Sequence, residues 1–146
     1  ELPIRQDLGI TGSMNQMGEI QPIGGVNAKV EGFFAACQLK GMTGTQGVII
    51  PEQNIRHLML RPEIIEAVKQ GIFRIYAVHH AHQALELLLS KPMGEPDAKG
   101  KHSKDSIMSL VLAQLKHWHK IEEGDKPKKK NAKKKKKTPQ PSIKQE

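Results

Sequence analysis

The first third of the chain has the hydrophobic pattern of a β-hairpin followed by an amphipathic helix. Residues 8 to 14 (LGITGSM) and 19 to 23 (EIQPI) have the pattern of two strands, and the residues between them, 15 to 18, favour a turn. From residue 26 to about residue 39, apolar residues recur with helical spacing. They form a single stripe, which consists of Val26, Val30, Phe33, Phe34 and Cys37.

The middle of the chain continues with strands and helices in alternation. Residues 47 to 50 (GVII) are apolar throughout, as in a strand buried in a parallel sheet. The pattern then predicts a short helix over residues 51 to 59, a helix over 62 to 70, a strand over 72 to 78 and a leucine-rich helix over 83 to 90. The resulting order, β-β-α-β-α-α-β-α, predicts an α/β domain with at least one parallel pair of strands.

The C-terminal third changes in composition and divides the chain into four segments. Residues 1 to 91 form the α/β domain, and residues 92 to 104 are rich in Pro, Gly and charge, which is typical of a linker. Residues 105 to 123 predict a helix whose apolar side must be buried against this domain or another chain. That side consists of Ile107, Val111, Leu115 and Trp118. The last segment, 124 to 146, is of low complexity and is predicted to be disordered.

The net charge of +8 arises in the last segment. Its ten lysines, between Lys126 and Lys144, leave 13 basic and 14 acidic residues in the part of the chain before Lys126. A basic face for nucleic acid is therefore not expected on the folded part. The tail could bind polyanions such as nucleic acid by charge alone, because it has no aromatic residue for base stacking. The chain has no apolar run of membrane-spanning length and no signal peptide, so no membrane association is expected.

One lysine stands out on the predicted helix. Lys29 lies about 60° from the centre of the apolar stripe and in the first turn, directly after the pair Gly24 and Gly25. We expect it at the edge of the buried face, where partial loss of hydration and the positive end of the helix favour a neutral amine. Such an amine can take a proton from a hydroxyl group. Lysines at such boundaries more commonly cover apolar surface with the stem and keep the charge in water, and this alternative stays open.

The spacing of several motifs resembles that of the Lon family of ATP-dependent serine proteases. Thr11 and Gly12 are followed by PIGG, which ends at Gly25, and then by Lys29 four residues later. The resemblance implies that Lys29 is the lysine of a Ser–Lys catalytic dyad, that Thr11 lines the catalytic site, and that Gly24 and Gly25 shape it. The sequence VEGFF is most similar to the Lon homologues of γ-proteobacteria. The strand GVIIP and the asparagine that follows it, Asn54, also resemble the family.

The resemblance further implies an endopeptidase that hydrolyses unfolded or damaged proteins in the cytoplasm, as a ring-shaped homo-oligomer. The single cysteine, Cys37, rules out a disulfide within the chain, and a reducing cytosol fits this. The family's nucleophilic serine and its ATPase part, which uses ATP and Mg²⁺, would lie upstream. The chain begins at Glu1 rather than Met, as a piece of a longer protein would, and contains no G-x-x-x-x-G-K-[ST] loop. Alone it is expected to bind no cofactor and to cleave nothing.

Other candidate residues fit structural roles. Ser13 is close to Thr11 in the sequence but is not expected to be the nucleophile, and the cluster His79, His80 and His82 matches no zinc pattern and predicts a solvated turn. Cys37 lies on the apolar stripe and is expected to be an inert core residue. A function of another class also stays open: a non-enzymatic module that binds polyanions through the lysine-rich tail.

Overall fold

A computed structural model describes residues 2 to 124 of the chain. The predicted disordered segment lies outside these residues, apart from Gly124. The strands are β1 (Leu8–Ile10), β2 (Ser13–Met14), β3 (Ile20–Gln21), β4 (Gly47–Pro51) and β5 (Arg74–Val78). The α-helices are α1 (Val26–Lys40), α2 (Pro62–Lys69), α3 (Ala81–Leu89) and α4 (Ile107–Gly124), and a 3-10 helix spans Glu52–His57. The α/β fold class is confirmed.

The central sheet has three parallel strands in the order β1-β4-β5. Helix α1 connects β1 to β4 and α2 connects β4 to β5, as parallel neighbours require. The short strands β2 and β3 form a separate antiparallel pair, in which Ser13 is opposite Gln21. In the middle strand a side chain at Gly47 would place its Cβ 2.5 Å from the Arg74 carbonyl oxygen, so the close pairing of β4 with β5 requires glycine there.

Strand β4 is buried on both faces, and its successive side chains enter two different cores. Val48 and Ile50 pack with the apolar stripe of α1, with α2 and with Phe73. Ile49 points to the other face, where it packs with Leu8 and residues of β5 and α3. The continuous apolar run in the sequence therefore reflects a strand covered on both sides, as predicted.

Several predicted elements differ from the observed ones, and the strands predicted over residues 19 to 23 and 72 to 78 are shorter, spanning Ile20–Gln21 and Arg74–Val78. The strand predicted over residues 8 to 14 is interrupted at 11 and 12, because β1 pairs with β4 whereas β2 pairs with β3. The helix predicted after Pro51 is a 3-10 helix. Helix α3 begins at Ala81 rather than at residue 83, because His80 caps it.

The segment predicted as a linker folds back on itself. It contains an isolated antiparallel bridge between Pro96 and His102, and the Ile107 N–H donates to the Pro92 carbonyl oxygen at 3.0 Å. A first compact unit ends at Val111, within α4, and a second begins at the next residue. Of the predicted apolar side of this helix, Ile107 is buried, whereas the other three residues are exposed within the described part of the chain.

Two asparagines attach the start of α1 to the 3-10 helix. Asn54, which is 2% exposed, accepts a hydrogen bond from the Ile23 N–H at 3.0 Å and donates one to the Ile23 carbonyl oxygen at 2.9 Å. Asn27, on α1, donates to the His57 carbonyl oxygen at 3.1 Å and accepts from the Met59 N–H at 2.9 Å. Each side-chain amide therefore donates one hydrogen bond and accepts another, and both join parts of the chain that are about 30 residues apart in sequence.

We expect Asn54→Ala to lower the free energy of unfolding by about 1–3 kcal/mol, because the backbone groups of Ile23 lose both partners beside a buried site. Asn54→Asp should not rescue stability, since a carboxylate keeps the acceptor but cannot donate. Urea unfolding of the 146-residue chain, followed by circular dichroism, measures the change. The neighbouring exposed Gln53→Ala is the control and should stay within about 0.5 kcal/mol of the wild type. Equal stability of Asn54→Ala and Gln53→Ala would contradict the bridging role.

An ion pair at the amino end of β1 makes stability depend on pH. Arg5 donates two hydrogen bonds to Asp7, from Nε to Oδ1 at 2.9 Å and from Nη2 to Oδ2 at 2.6 Å. These bonds lower the pKa of Asp7 from its ordinary value of 3.8 to about 2. Because the folded pKa lies below the unfolded one, the pair stabilises the fold above about pH 4, and this contribution disappears as the pH falls toward 2.

We expect the free energy of unfolding to decrease more between pH 4 and pH 2 in the wild type than in Asp7→Asn. The difference between the two decreases is about 1 kcal/mol or less. The effect is small because the pair is partly exposed and solvent screens it. Thermal unfolding of both proteins at a series of pH values measures the difference. Parallel pH profiles would mean that the Asp7 carboxylate contributes nothing.

Candidate functional site

Lys29 is presented by the first turn of α1, and that turn depends on Gly25. Gly25 is the N-cap residue and has φ = 68°, in the left-handed region that favours glycine. The Lys29 N–H donates to the Gly25 carbonyl oxygen at 3.1 Å, which closes the first helical turn. A Cβ at Gly24 or Gly25 would meet nothing within 4 Å. Backbone conformation therefore explains glycine at position 25, whereas nothing in the structure explains it at position 24.

Thr11 is held at the carboxyl end of β1. Its N–H donates to the Ile49 carbonyl oxygen at 3.0 Å, which continues the parallel pairing one residue beyond the end of the strand. The Thr11 side chain is half-buried. Its position is therefore set by the pairing of β1 with the central strand, and not by a flexible loop.

Lys29 and Thr11 line the same groove, which has a volume of about 360 Å³. We call it the lysine groove. Its lining consists of Gly9, Ile10, Thr11, Ala28, Lys29, Gly32, Phe33 and Val48. Gly24 and Gly25 are not part of this lining. The expected partial burial of Lys29 is not found, because its side chain is exposed in the described part of the chain.

Gly9 shapes the lysine groove and was not singled out from the sequence. A Cβ at this position would lie 3.0 Å from the Phe33 ring, so a larger residue would push the ring away from β1 by a few tenths of an ångström. Phe33 in turn lies beside Phe73, with ring centroids 6.4 Å apart. A glycine inside a strand pattern is a general sign of close approach by another group, and this sign was available at Gly9.

Ser13 lines a different groove. This second groove, which we call the hairpin groove, has a volume of about 320 Å³. Its lining consists of Ile10, Thr11, Gly12, Ser13, Met14, Ile20, Val78, Ala81, Ala84 and Leu85. The two grooves share Ile10 and Thr11 and therefore adjoin at the end of β1. Lys29 is not part of the hairpin groove, so Ser13 and the lysine line different grooves.

The histidine cluster only partly forms the solvated turn that the sequence predicts. His79 and His82 are exposed, and the His79 Nδ1 is 3.7 Å from a carboxylate oxygen of Glu52. His80, by contrast, is half-buried and caps α3: its Nδ1 accepts from the His82 N–H at 3.2 Å. Since that nitrogen accepts, the ring proton is on Nε2, which donates to the Met17 carbonyl oxygen at 3.2 Å.

The remaining candidate residues have structural surroundings. Cys37 lies on the buried side of α1, in the core, as expected, and desolvation raises the pKa of its thiol, which makes it a poor nucleophile. Within residues 2 to 124, no three side chains of His, Cys, Asp or Glu come together in a way that could hold a metal ion. No helix in this part of the chain is long and apolar enough to cross a membrane.

Comparison with known proteins identifies relatives over the same region. The family model of the Lon protease C-terminal proteolytic domain matches residues 1–91. A Lon protease homolog of Escherichia coli is 52% identical over 90 residues, which is 62% of this chain and 15% of that protein. A Lon protease homolog of Haemophilus influenzae is 41% identical over 115 residues, which is 79% of this chain and 19% of that protein.

A more distant relative extends the match beyond bacteria. An archaeal Lon protease of Thermococcus kodakarensis is 38% identical over 88 residues, which is 60% of this chain and 12% of that protein. The chain thus spans less than a fifth of the length of these relatives. The resemblance to Lon proteins of γ-proteobacteria is confirmed by the matches in Escherichia coli and Haemophilus influenzae. With the family match covering 62% of its length, this chain belongs to the Lon protease C-terminal proteolytic domain family of peptidases.

Proposed function

We propose that this chain supplies the lysine of a Ser–Lys dyad in an ATP-dependent endopeptidase that degrades unfolded or damaged proteins. The observation that carries the proposal is the shared groove, in which Lys29 on α1 and Thr11 at the end of β1 line one cavity. The membership of the chain in a family of peptidases supports peptide hydrolysis as the reaction class. The nucleophilic serine belongs to the part of the protein upstream of Glu1.

The proposed reaction is acyl transfer in two halves. The serine oxygen attacks the carbonyl carbon of the peptide bond while its proton passes to the neutral Lys29 Nζ, which then donates the proton to the leaving amine. In the second half, water attacks the carbonyl carbon of the acyl ester and passes a proton to the Lys29 amine. The Lys29 amine returns this proton to the serine oxygen, and the acid product leaves. Thr11 has a hydroxyl that can donate or accept, and its role is to orient the lysine amine.

The exposure of Lys29 adds a requirement to this proposal. Lys29 is open to solvent in the described part of the chain, and a base acts best in a site from which water is excluded, so the proposal requires the lysine groove to be covered when Lys29 acts. In this proposal the lysine groove is covered by protein outside this chain, which is either the upstream part that carries the serine or a bound substrate. A gain of burial at Lys29 on assembly is therefore part of the mechanism.

The properties of the whole protein belong to the same proposal. An upstream ATPase part would use ATP and Mg²⁺ to deliver substrates, and the intact protein would act in the cytoplasm as a ring-shaped homo-oligomer. In support, the curated relatives are more than five times as long as the matched region, which leaves room for such parts. This chain alone would hydrolyse no peptide bond.

A polyanion-binding module remains the second candidate function. Its support is the run of ten lysines, without an acidic residue, from Lys126 to Lys144. Binding through such a tail depends on counterion release and is not selective for sequence. The two functions differ in what they require of the folded part: the peptidase needs Lys29, whereas polyanion binding is indifferent to it.

In the intact protein, we expect Lys29→Ala to reduce peptide cleavage by at least about 10³-fold, because general base and general acid are lost together. Lys29→Arg should be nearly as inactive, since a guanidinium does not become neutral at working pH. Initial rates with a fluorogenic peptide measure the loss. The control is Lys40→Ala, which removes an exposed lysine from the last turn of the same helix. Cleavage by Lys29→Ala at the rate of Lys40→Ala would exclude the proposed base.

We expect Thr11→Ala in the intact protein to lower turnover by about 10-fold, because the loss of one orienting hydrogen bond is worth about 1.4 kcal/mol. Thr11→Ser keeps the hydroxyl and should retain more activity. Comparison of turnover for both variants with that of the exposed Thr45→Ala measures the effect. Covalent labelling of Thr11 by a serine-directed phosphonate would instead make it the nucleophile and contradict the orienting role.

A further inference from the structure

The first turn of α1 lacks the local interactions that usually hold the start of a helix. Its N-cap residue, Gly25, has no side chain that could accept a hydrogen bond from the turn, and no residue of the turn is acidic. The first N–H groups of a helix have no partner within the helix, so a turn without a cap frays easily. Lys29 lies on this turn, and its side chain is exposed in the described part of the chain. Its position therefore depends on what holds the backbone around it.

Two side-chain amides hold that backbone from outside the helix axis. Asn54, which is buried, is bonded to both the N–H and the carbonyl oxygen of Ile23, just before the helix begins. Asn27, in the turn itself, donates to the His57 carbonyl oxygen and accepts from the Met59 N–H. We call Asn27 and Asn54, with their four hydrogen bonds, the amide clamp. The clamp takes the place of the missing local cap.

The amide clamp holds α1 on the side away from Lys29. Successive residues of an α-helix are about 100° apart, so Lys29 lies about 200° around the axis from Asn27, whereas Glu31 lies within about 40° of it. Glu31 extends the attachment by one turn. Its Oε1 accepts from the Arg61 N–H at 3.3 Å, and its Oε2 is 3.6 Å from the Arg61 Nε. One short segment, residues 54 to 61, therefore contacts α1 from behind and leaves the face with Lys29 open to the lysine groove.

We propose that Asn27 and Asn54 are positioning residues for the reaction, which act through Lys29 by fixing the first turn of α1 against residues 54 to 61. This inference rests on the proposed function. A catalytic group must be held to within a fraction of an ångström, and a displacement of about 1 Å can cost about 100-fold in rate. Neither amide lines the lysine groove. Their effect is therefore expected on the proton transfers that Lys29 performs, and not through contact with the substrate.

The test compares, in the intact protein, hydrolysis of a peptide bond with hydrolysis of a 4-nitrophenyl ester of the same acyl group. Both substrates need the serine to lose its proton, but only the peptide needs Lys29 to protonate the leaving group, because 4-nitrophenolate leaves without a proton. Asn27→Ala should lower kcat/KM by about 30-fold for the peptide and by about 3-fold for the ester. A weaker helix does not account for such a loss, since alanine favours helices more than asparagine does.

The matched control is Gln38→Ala, which removes an exposed amide from the last turn of the same helix and should change neither rate. Asn54→Ala should show the same preferential loss of peptide cleavage as Asn27→Ala. Because the ratio of the two rates does not depend on the fraction of folded protein, it remains decisive in a destabilised variant. Equal losses for peptide and ester, or rates equal to those of Gln38→Ala, would overturn the positioning role. Peptide cleavage that survives Lys29→Ala would instead reject the proposed catalytic lysine, so the two failures are distinguishable.

Discussion

Burial of the central strand β4 on both faces is the constraint on which the rest of the structure depends. Its side chains alternate between two cores, and its backbone pairs with β1 on one edge and β5 on the other. Both candidate site residues are positioned from it. The Ile49 carbonyl oxygen accepts a hydrogen bond from the Thr11 N–H. The 3-10 helix that follows the strand carries Asn54, whose side chain accepts a hydrogen bond from the Ile23 N–H, just before α1. A shift of β4 would move Thr11 and Lys29 together.

The order of elements was predictable because each depends on a local pattern. The five-residue run that forms β4 and the stripe that forms α1 are clear in the sequence, and both have close to their predicted bounds. The division of residues 8 to 14 into two strands was not predictable in this way. Both halves have a strand pattern, and the break at Thr11 and Gly12 arises because the chain changes its pairing partner, which is a tertiary effect.

The place of Lys29 in the first turn of a helix was predictable from the sequence, but its environment was not. The helical wheel placed Lys29 at the edge of the apolar stripe, yet the side chain is exposed, since the angle on a wheel does not say whether a neighbour covers that edge. His80 shows the reverse case. In the sequence it is one of three histidines in a polar turn, whereas in the structure its Nε2 also donates to the Met17 carbonyl oxygen, which the hairpin brings close. Such roles depend on contacts distant in sequence.

The two ends of the parallel sheet differ in a way that explains where chemistry can occur. At the amino ends, side chains and loops satisfy one another: Arg5 is paired with Asp7 and also reaches the Thr45 carbonyl oxygen. At the carboxyl ends, each strand is followed by a turn or by the start of a helix, and both grooves lie at the end of β1. Ligand sites in open α/β sheets form at this end, because the diverging connections leave a crevice there. The lysine groove and the hairpin groove are therefore neighbouring parts of one crevice, and Ile10 and Thr11 line both of them.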